Sequence, residues 1–157
     1  MPVMRRGPVP GSEWTDLVTL IGYDASIALQ FEQDITVDGS TVKVFRYEVS
    51  AKDEICRLRV TRLFHREWKG SPPCGGVIWT NQQFRILRIT KEMLVPPGTG
   101  LKKFRVVVQY GWWGERLVPV KMYLESTSSD GSSQVSTATF DNYREFETSS
   151  RLVWETR

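Results

Sequence analysis

Alternation of apolar and polar residues dominates this chain from residue 26 onward. Ile27, Leu29 and Phe31 alternate with small or polar residues, and a second alternating run from Thr41 to Val49 follows the dipeptide Asp38-Gly39. Strict alternation predicts a β-strand with one buried face, and Asp-Gly between two such runs predicts a tight turn. The segment is therefore predicted to form a β-hairpin.

Seven further strands are predicted after this hairpin, most of them joined by short connections. They cover residues 56–61, 77–79, 84–94, 104–110, 116–125, 134–140 and 144–154. Segments rich in Pro and Gly, such as 72–76 and 96–100, separate some of them. Nine strands with mostly short connections predict a mostly β fold, an antiparallel meander that forms a curved sheet or a half-barrel.

One short helix is predicted near the N-terminus. Ser12 is a good N-cap, the apolar positions Leu17, Leu20 and Ile21 share one side, and Gly22 ends the pattern. Residues 1–11 contain three Pro and two Gly and are expected to be a flexible lead-in. Residues 12–157 are then expected to form a single β-rich domain.

Composition removes several classes of function. The chain has one His and two Cys, too few ligands for a zinc cluster, so we expect neither a metal nor a cofactor. No stretch approaches the roughly 20 apolar residues of a membrane-spanning helix. The first residues carry charges without a following apolar core, so they do not read as a signal peptide.

Positive charge is concentrated in the middle of the chain. The net charge is +3, yet residues 56–122 hold thirteen Lys and Arg against three acids. The alternate spacing predicts a basic face formed by Arg57, Arg59, Arg85, Lys103 and Arg105. Such a face favours anionic head groups or contact with an anionic membrane surface. Nucleic acid is not favoured, since an RNA-binding motif is lacking and the flanks are acidic.

Residues for acid-base or nucleophilic catalysis are scarce. His65 is the one imidazole available, and its neighbours predict a surface position at a strand end. Glu145 and Glu147 lie two apart in a polar tract, where solvated surface carboxylates are expected. We therefore expect a protein that is not an enzyme, with no catalytic residue.

Two readings of the cysteines remain open from the sequence. Cys56 and Cys74 form an even pair in a small β-rich chain, which favours a disulfide in an oxidising compartment. Simple hairpin counting, however, places Cys74 nearer to His65 than to Cys56. A disulfide and two free thiols are both compatible with this spacing.

Two strand motifs resemble a known group of proteins. They are Gly76-Val77-Ile78-Trp79 followed by Phe84-Arg85-Ile86-Leu87-Arg88-Ile89, and the ending Phe140-Asp141-Asn142-Tyr143-Arg144-Glu145-Phe146. In order and type they resemble the C-terminal part of uncharacterised bacterial secreted proteins. Those proteins are similar in fold to the outer-membrane lipoprotein-sorting carriers, whose curved sheet is an open half-barrel. The resembling proteins also begin with a signal peptide and an upstream segment, so this chain is expected to be a fragment or to have a late start.

The resemblance implies a lipid-binding protein of the periplasm or cell envelope that shelters a lipid-like or lipoprotein acyl chain. Together with the alternation, it predicts an apolar ligand-binding face made of Leu29, Phe31, Leu58, Val60, Phe104, Val106, Val108, Tyr110, Val120 and Met122. The predicted helix, with Leu17, Leu20 and Ile21, is the expected lid. The alternative is a structural or protein-interaction β-module that has a filled core and no ligand. Its open sheet edge would pair with an envelope protein partner.

Overall fold

The protein is described by a computed structural model that covers residues 27–51, 56, 58–60 and 68–143. Seven strands form one antiparallel sheet in the order β1-β2-β5-β6-β7-β8-β9, and two short strands form a separate pair. The strands are β1 (Leu29–Val37), β2 (Ser40–Val49), β3 (Leu58–Val60), β4 (Trp68–Gly70), β5 (Cys74–Thr80), β6 (Ile86–Leu94), β7 (Leu101–Trp113), β8 (Arg116–Ser128) and β9 (Ser133–Thr139).

The register of the sheet assigns every strand residue to one of two faces, because directly opposed residues point to the same side. The row Phe45, Ile78, Ile89, Val108 and Met122 runs across five strands. We call the side that carries this row the inner face, since all of its members except half-buried Phe45 are buried. The opposite side, the outer face, carries mainly polar and charged side chains.

The mostly β, antiparallel prediction is confirmed, whereas the single nine-stranded meander is not. The described sheet has seven strands and is open, because β1 and β9 lie at its two ends. The predicted strand from Cys56 contributes to the β3-β4 pair instead, since the chain passes directly from β2 to β5 within the large sheet. The predicted helix and the predicted strand over 144–154 lie outside the described residues.

The described residues form no helix, and accordingly none of them belongs to a helix that could cross a bilayer. Three strand boundaries also differ from prediction. β5 begins at Cys74 within the predicted loop, β6 begins only at Ile86, and β7 continues through Trp112 and Trp113. The turn between β7 and β8 is thereby reduced to two residues, Gly114 and Glu115.

A close backbone approach explains why glycine extends β5. A Cβ at Gly76 would lie 1.8 Å from the carbonyl oxygen of Thr90, so no other residue fits without moving the strands. Tyr47 lies directly opposite Gly76, and its hydroxyl donates a hydrogen bond of 3.0 Å to the same carbonyl. The Tyr47 hydroxyl oxygen would itself lie 3.2 Å from a Cβ at Gly76, which adds to the close contact with the Thr90 backbone. The sequence pattern predicts a loop at Gly75-Gly76, because alternation does not reveal the pairing of these glycines with β2.

A disulfide links Cys56 to Cys74, with 6.1 Å between the two Cα atoms. Both residues are buried in the apolar cluster of the inner face, and the bond attaches the chain before β3 to the first residue of β5. Of the two readings left open by the spacing, the structure shows the bonded one.

Candidate functional site

Five of the predicted ligand-binding residues are buried in the centre of the inner face. They are Phe104, Val106, Val108, Tyr110 and Met122. Because Val106, Val108 and Met122 have no exposed surface, no space large enough for water borders their side chains. Lys91 lies opposite Gly76 and Val106 and is also buried on the inner face. The inner face is therefore less apolar than the alternation indicated. At these positions the core is filled.

The other predicted ligand-binding residues are distributed over three regions. Leu29 and Phe31 lie on β1 opposite Tyr47 and Phe45, so they belong to the inner face, yet both are exposed. Leu58 and Val60 are half-buried on β3, outside the large sheet. Val120 is exposed at an irregularity of the β7-β8 register. The predicted lid residues Leu17, Leu20 and Ile21 lie outside the described part of the chain.

The described residues of the predicted basic face lie on different elements. Lys103 and Arg105 share the outer face, where Glu92 accepts ion pairs from both at 3.0 and 3.1 Å. Arg85 precedes β6, and Arg59 lies on β3. Arg57 is outside the described residues, as is His65. The pairing with Glu92 reduces the charge that Lys103 and Arg105 offer to an anionic ligand.

A chain of aromatic rings extends from the edge strand to the β5-β6 turn. The ring centroids of Phe31 and Phe45 are 5.7 Å apart, and those of Phe45 and Phe84 are 6.3 Å apart. Arg85, next to Phe84, lies 4.9 Å from the ring centroid of Trp112. We call Phe31, Phe45, Phe84 and Trp112 the aromatic band. Phe31 is 57% exposed and Phe84 66% exposed, so two of its rings are mainly in solvent.

The turn between β5 and β6 holds Phe84 in an uncommon backbone conformation. Phe84 has φ +59°, in the left-handed region that bulky residues rarely occupy. The side-chain oxygen of Asn81 accepts hydrogen bonds from the backbone N–H groups of Gln83 and Arg85, at 3.0 and 2.9 Å. Two backbone bonds, from Phe84 to Asn81 and from Asn81 to Arg85, close the turn. An exposed phenyl ring is thus kept in place at an energetic cost, a feature that concentrates at functional sites.

Two cations accompany the aromatic band. The Lys43 ammonium is 5.6 Å from the centroid of Phe31 and also pairs with Asp34 at 3.3 Å. The Arg85 guanidinium stacks on Trp112 as described. The Lys43 ammonium is thus shared between the Phe31 ring and the Asp34 carboxylate, whereas Arg85 forms no ion pair among the described residues. The band therefore combines exposed apolar area with positive charge.

Sequence reasoning predicted Phe31 and Arg85 as site residues and missed Phe45, Phe84 and Trp112. The sequence offers one signal for Trp112, since Gly111-Trp112-Trp113-Gly114 between two predicted strands indicates a hairpin turn with exposed aromatic side chains. Phe84 was taken as the first residue of a strand. Its left-handed conformation depends on the two bonds to Asn81, which alternation cannot reveal.

Comparison with known proteins adds no constraint. The chain matches no protein-family model, no curated protein and no solved structure. Within the described residues, no three His, Cys, Asp or Glu side chains are grouped closely enough to hold a metal ion. The chemistry of the aromatic band is therefore the basis on which a function can be argued.

Proposed function

We propose that this domain is a non-enzymatic binding protein of the cell envelope, whose ligand is a lipid-like amphiphile with an anionic head group. The observation that carries the proposal is the exposed aromatic band with its two cations. Apolar chain segments would lie on Phe31, Phe45 and Phe84. The head group would meet Lys43 and Arg85.

The energetics of the band favour an amphiphile over a purely ionic ligand. Full burial of one exposed phenylalanine contributes about 1.5–3 kcal/mol, and each methylene that it shelters about 0.8 kcal/mol. A surface cation contributes less because water and salt screen it. Leu29 lies two residues before Phe31 on β1 and is also exposed on the inner face. It extends the apolar area along this edge strand.

The disulfide supports the envelope as compartment. Disulfides persist in oxidising surroundings and are rare in the reducing cytosol. Cys56 and Cys74 are bonded and buried, as expected of a structural bond.

A sheet that bends as a half-barrel is a further part of the proposal. The register of the sheet is irregular at Phe31/Gln33, Trp79/Thr80 and Gln109/Tyr110. Such irregularities support bending, because β-bulges bend strands.

Binding to vesicles of phosphatidylcholine, with and without phosphatidylglycerol, tests the proposal. We expect the protein to sediment with the anionic vesicles. Phe31→Ser and Phe84→Ser should each weaken binding about tenfold, the equivalent of roughly 1.4 kcal/mol. Val135→Ser is the matched control, because Val135 is an apolar residue on β9, at the other end of the sheet, and is also more than half exposed. Equal binding by all four proteins would contradict the proposal.

A second arm separates a membrane surface from a single bound lipid. Lysophosphatidylglycerol below its critical micelle concentration should quench or shift the fluorescence of Trp112 if one amphiphile suffices. If the protein binds vesicles but not monomeric lysophosphatidylglycerol, the ligand is the bilayer surface. Lipid that remains bound to the Phe31→Ser, Phe84→Ser double variant in native mass spectrometry would instead place an acyl chain in the interior, and would overturn the surface site.

An interaction module that pairs with a protein strand is the second candidate, favoured by the exposed edge strand β1. Among the described strands β1 has one neighbour, and residues 28–34 are exposed. Glu32 and Asp34 are already paired with Arg46 and Lys43, so an uncharged extended segment is the fitting occupant. A photo-crosslinking residue at Thr36 should then give one defined adduct in cells, and the same residue at Thr137 on β9 should not. Identical patterns at both sites would contradict it.

A further inference from the structure

A row of four side chains on the outer face has a composition suited to an anion. Trp79, Arg88, Gln109 and Lys121 are direct register partners on β5, β6, β7 and β8. They therefore lie side by side, about 5 Å apart from strand to strand. The row lies on the opposite side of the sheet from the aromatic band, so it is independent of the proposed function.

Arg88 is the central cation of this row. The central carbon of its guanidinium lies 4.7 Å from the ring centroid of Trp79, its register partner on β5. The Nε atom is buried and has no hydrogen-bond partner. Partial burial, together with the nearby charge of Arg105, lowers the pKa of Arg88 from its ordinary value. The first observation describes a buried donor without an acceptor, and the second a cation whose surroundings disfavour its charge.

The carboxylates of the outer face do not supply that counter-ion. Glu92 is engaged by Lys103 and Arg105. Glu125 lies directly opposite Arg105, four residues further along the strands than the Arg88 row. Glu48 is opposite Gly75, at the far end of β5 from Trp79. In the described part of the chain, Arg88 thus forms no ion pair.

We propose that this row binds an oxyanion of the phosphate type, with Arg88, Gln109 and Lys121 as donors. A planar guanidinium offers paired N–H groups that match two oxygens of a phosphate, and an ammonium adds a point charge. The Gln109 amide, exposed between the two cations, supplies a neutral donor. The phosphate could be free in solution or part of an anionic head group, and the chemistry of recognition is the same.

Titration of inorganic phosphate against the folded protein tests the row, with chloride at equal ionic strength as reference. The readout is the NMR signal of the Arg88 Nε–H, which should shift with phosphate and not with chloride. Arg88→Gln and Lys121→Gln should each weaken phosphate binding about tenfold, the effect of losing one charge-assisted hydrogen bond. Arg46→Gln is the matched control, because Arg46 is on the same face but is paired with Glu32 at 2.6 Å.

A second arm distinguishes the two sources of phosphate. If head groups are the ligand, Arg88→Gln should weaken sedimentation with phosphatidylglycerol vesicles as well as binding of inorganic phosphate. If free phosphate is the ligand, only the titration should change. The proposal would be overturned if all three variants, Arg88→Gln, Lys121→Gln and Arg46→Gln, bound phosphate equally well. It would also be overturned if chloride shifted the Arg88 Nε–H signal as phosphate does. Neither result depends on the aromatic band.

Discussion

The inner face of the sheet has two regions that share strands but differ in exposure. On β2, Tyr47 and Val49 are buried, whereas Phe45 is half-buried and contacts the exposed ring of Phe31. The same alternation produces both regions. The comparison shows that alternation identifies the face of a strand but does not determine how deeply each position on that face is buried.

The buried region tolerates the least change, and Gly76 is its tightest point. Gly76→Ala should lower the free energy of unfolding by at least about 3 kcal/mol or prevent folding, because its Cβ would meet the Thr90 carbonyl. Gly39→Ala should cost only about 1 kcal/mol. An added Cβ at this turn glycine would meet no atom within 4 Å, so the cost comes from the φ of +77°, which alanine adopts less readily than glycine. Urea denaturation measures both. Equal losses would mean that the close approach is relieved at little cost.

The disulfide should have the next largest effect on the buried region. Replacing Cys56 and Cys74 together by Ser should cost about 2–4 kcal/mol, since the bond restricts the unfolded chain. Thermal unfolding under oxidising and reducing conditions measures this cost. The double variant should be insensitive to reductant, and an unchanged midpoint of the native protein after reduction would contradict a structural role.

Tyr47 should make the buried region sensitive to high pH. Burial raises the pKa of the Tyr47 phenol above its ordinary value of 10. The neutral form is therefore favoured in the folded state, so its stabilising effect is complete below about pH 10 and is lost as the pH rises toward the folded-state pKa. Tyr47→Phe should cost about 1 kcal/mol at pH 7 by removing the hydrogen bond from the hydroxyl to the Thr90 carbonyl, and should flatten the decline above pH 10. An unchanged decline in the variant would assign it to other groups.

The exposed region should respond in the opposite direction. Phe84→Gly should raise the free energy of unfolding by up to about 1 kcal/mol, because glycine adopts a positive φ without strain. The same variant should bind anionic vesicles more weakly than the native protein. A gain in stability with a loss of binding indicates a residue retained for function. Destabilisation by Phe84→Gly would show that the ring contributes to packing instead.

The sequence was sufficient for the strands whose alternation is regular. Val106, Val108 and Met122 were predicted on the apolar face and are buried there. It failed where backbone contacts decide the structure. The strand residues Gly75 and Gly76 look like loop, and Phe84 looks like a strand residue although the bonds to Asn81 place it in a turn.

The candidate site was harder to predict than the fold, since it depends on which parts of a face remain uncovered. Leu29 and Phe31 have the same alternating pattern as buried residues, yet they lie on an end strand of the sheet and are exposed. The alternate spacing of Lys103 and Arg105 correctly put them on one face. It could not show that Glu92, on the neighbouring strand, pairs with both.

Sedimentation with phosphatidylglycerol-containing vesicles is the most direct measurement of whether the uncovered end of the inner face binds amphiphiles. Native protein and Val135→Ser should bind to the same extent, and the Phe31→Ser, Phe84→Ser double variant should remain in solution while retaining its fold. Equal sedimentation of all three proteins, or no sedimentation of the native one, would contradict a ligand site at the aromatic band.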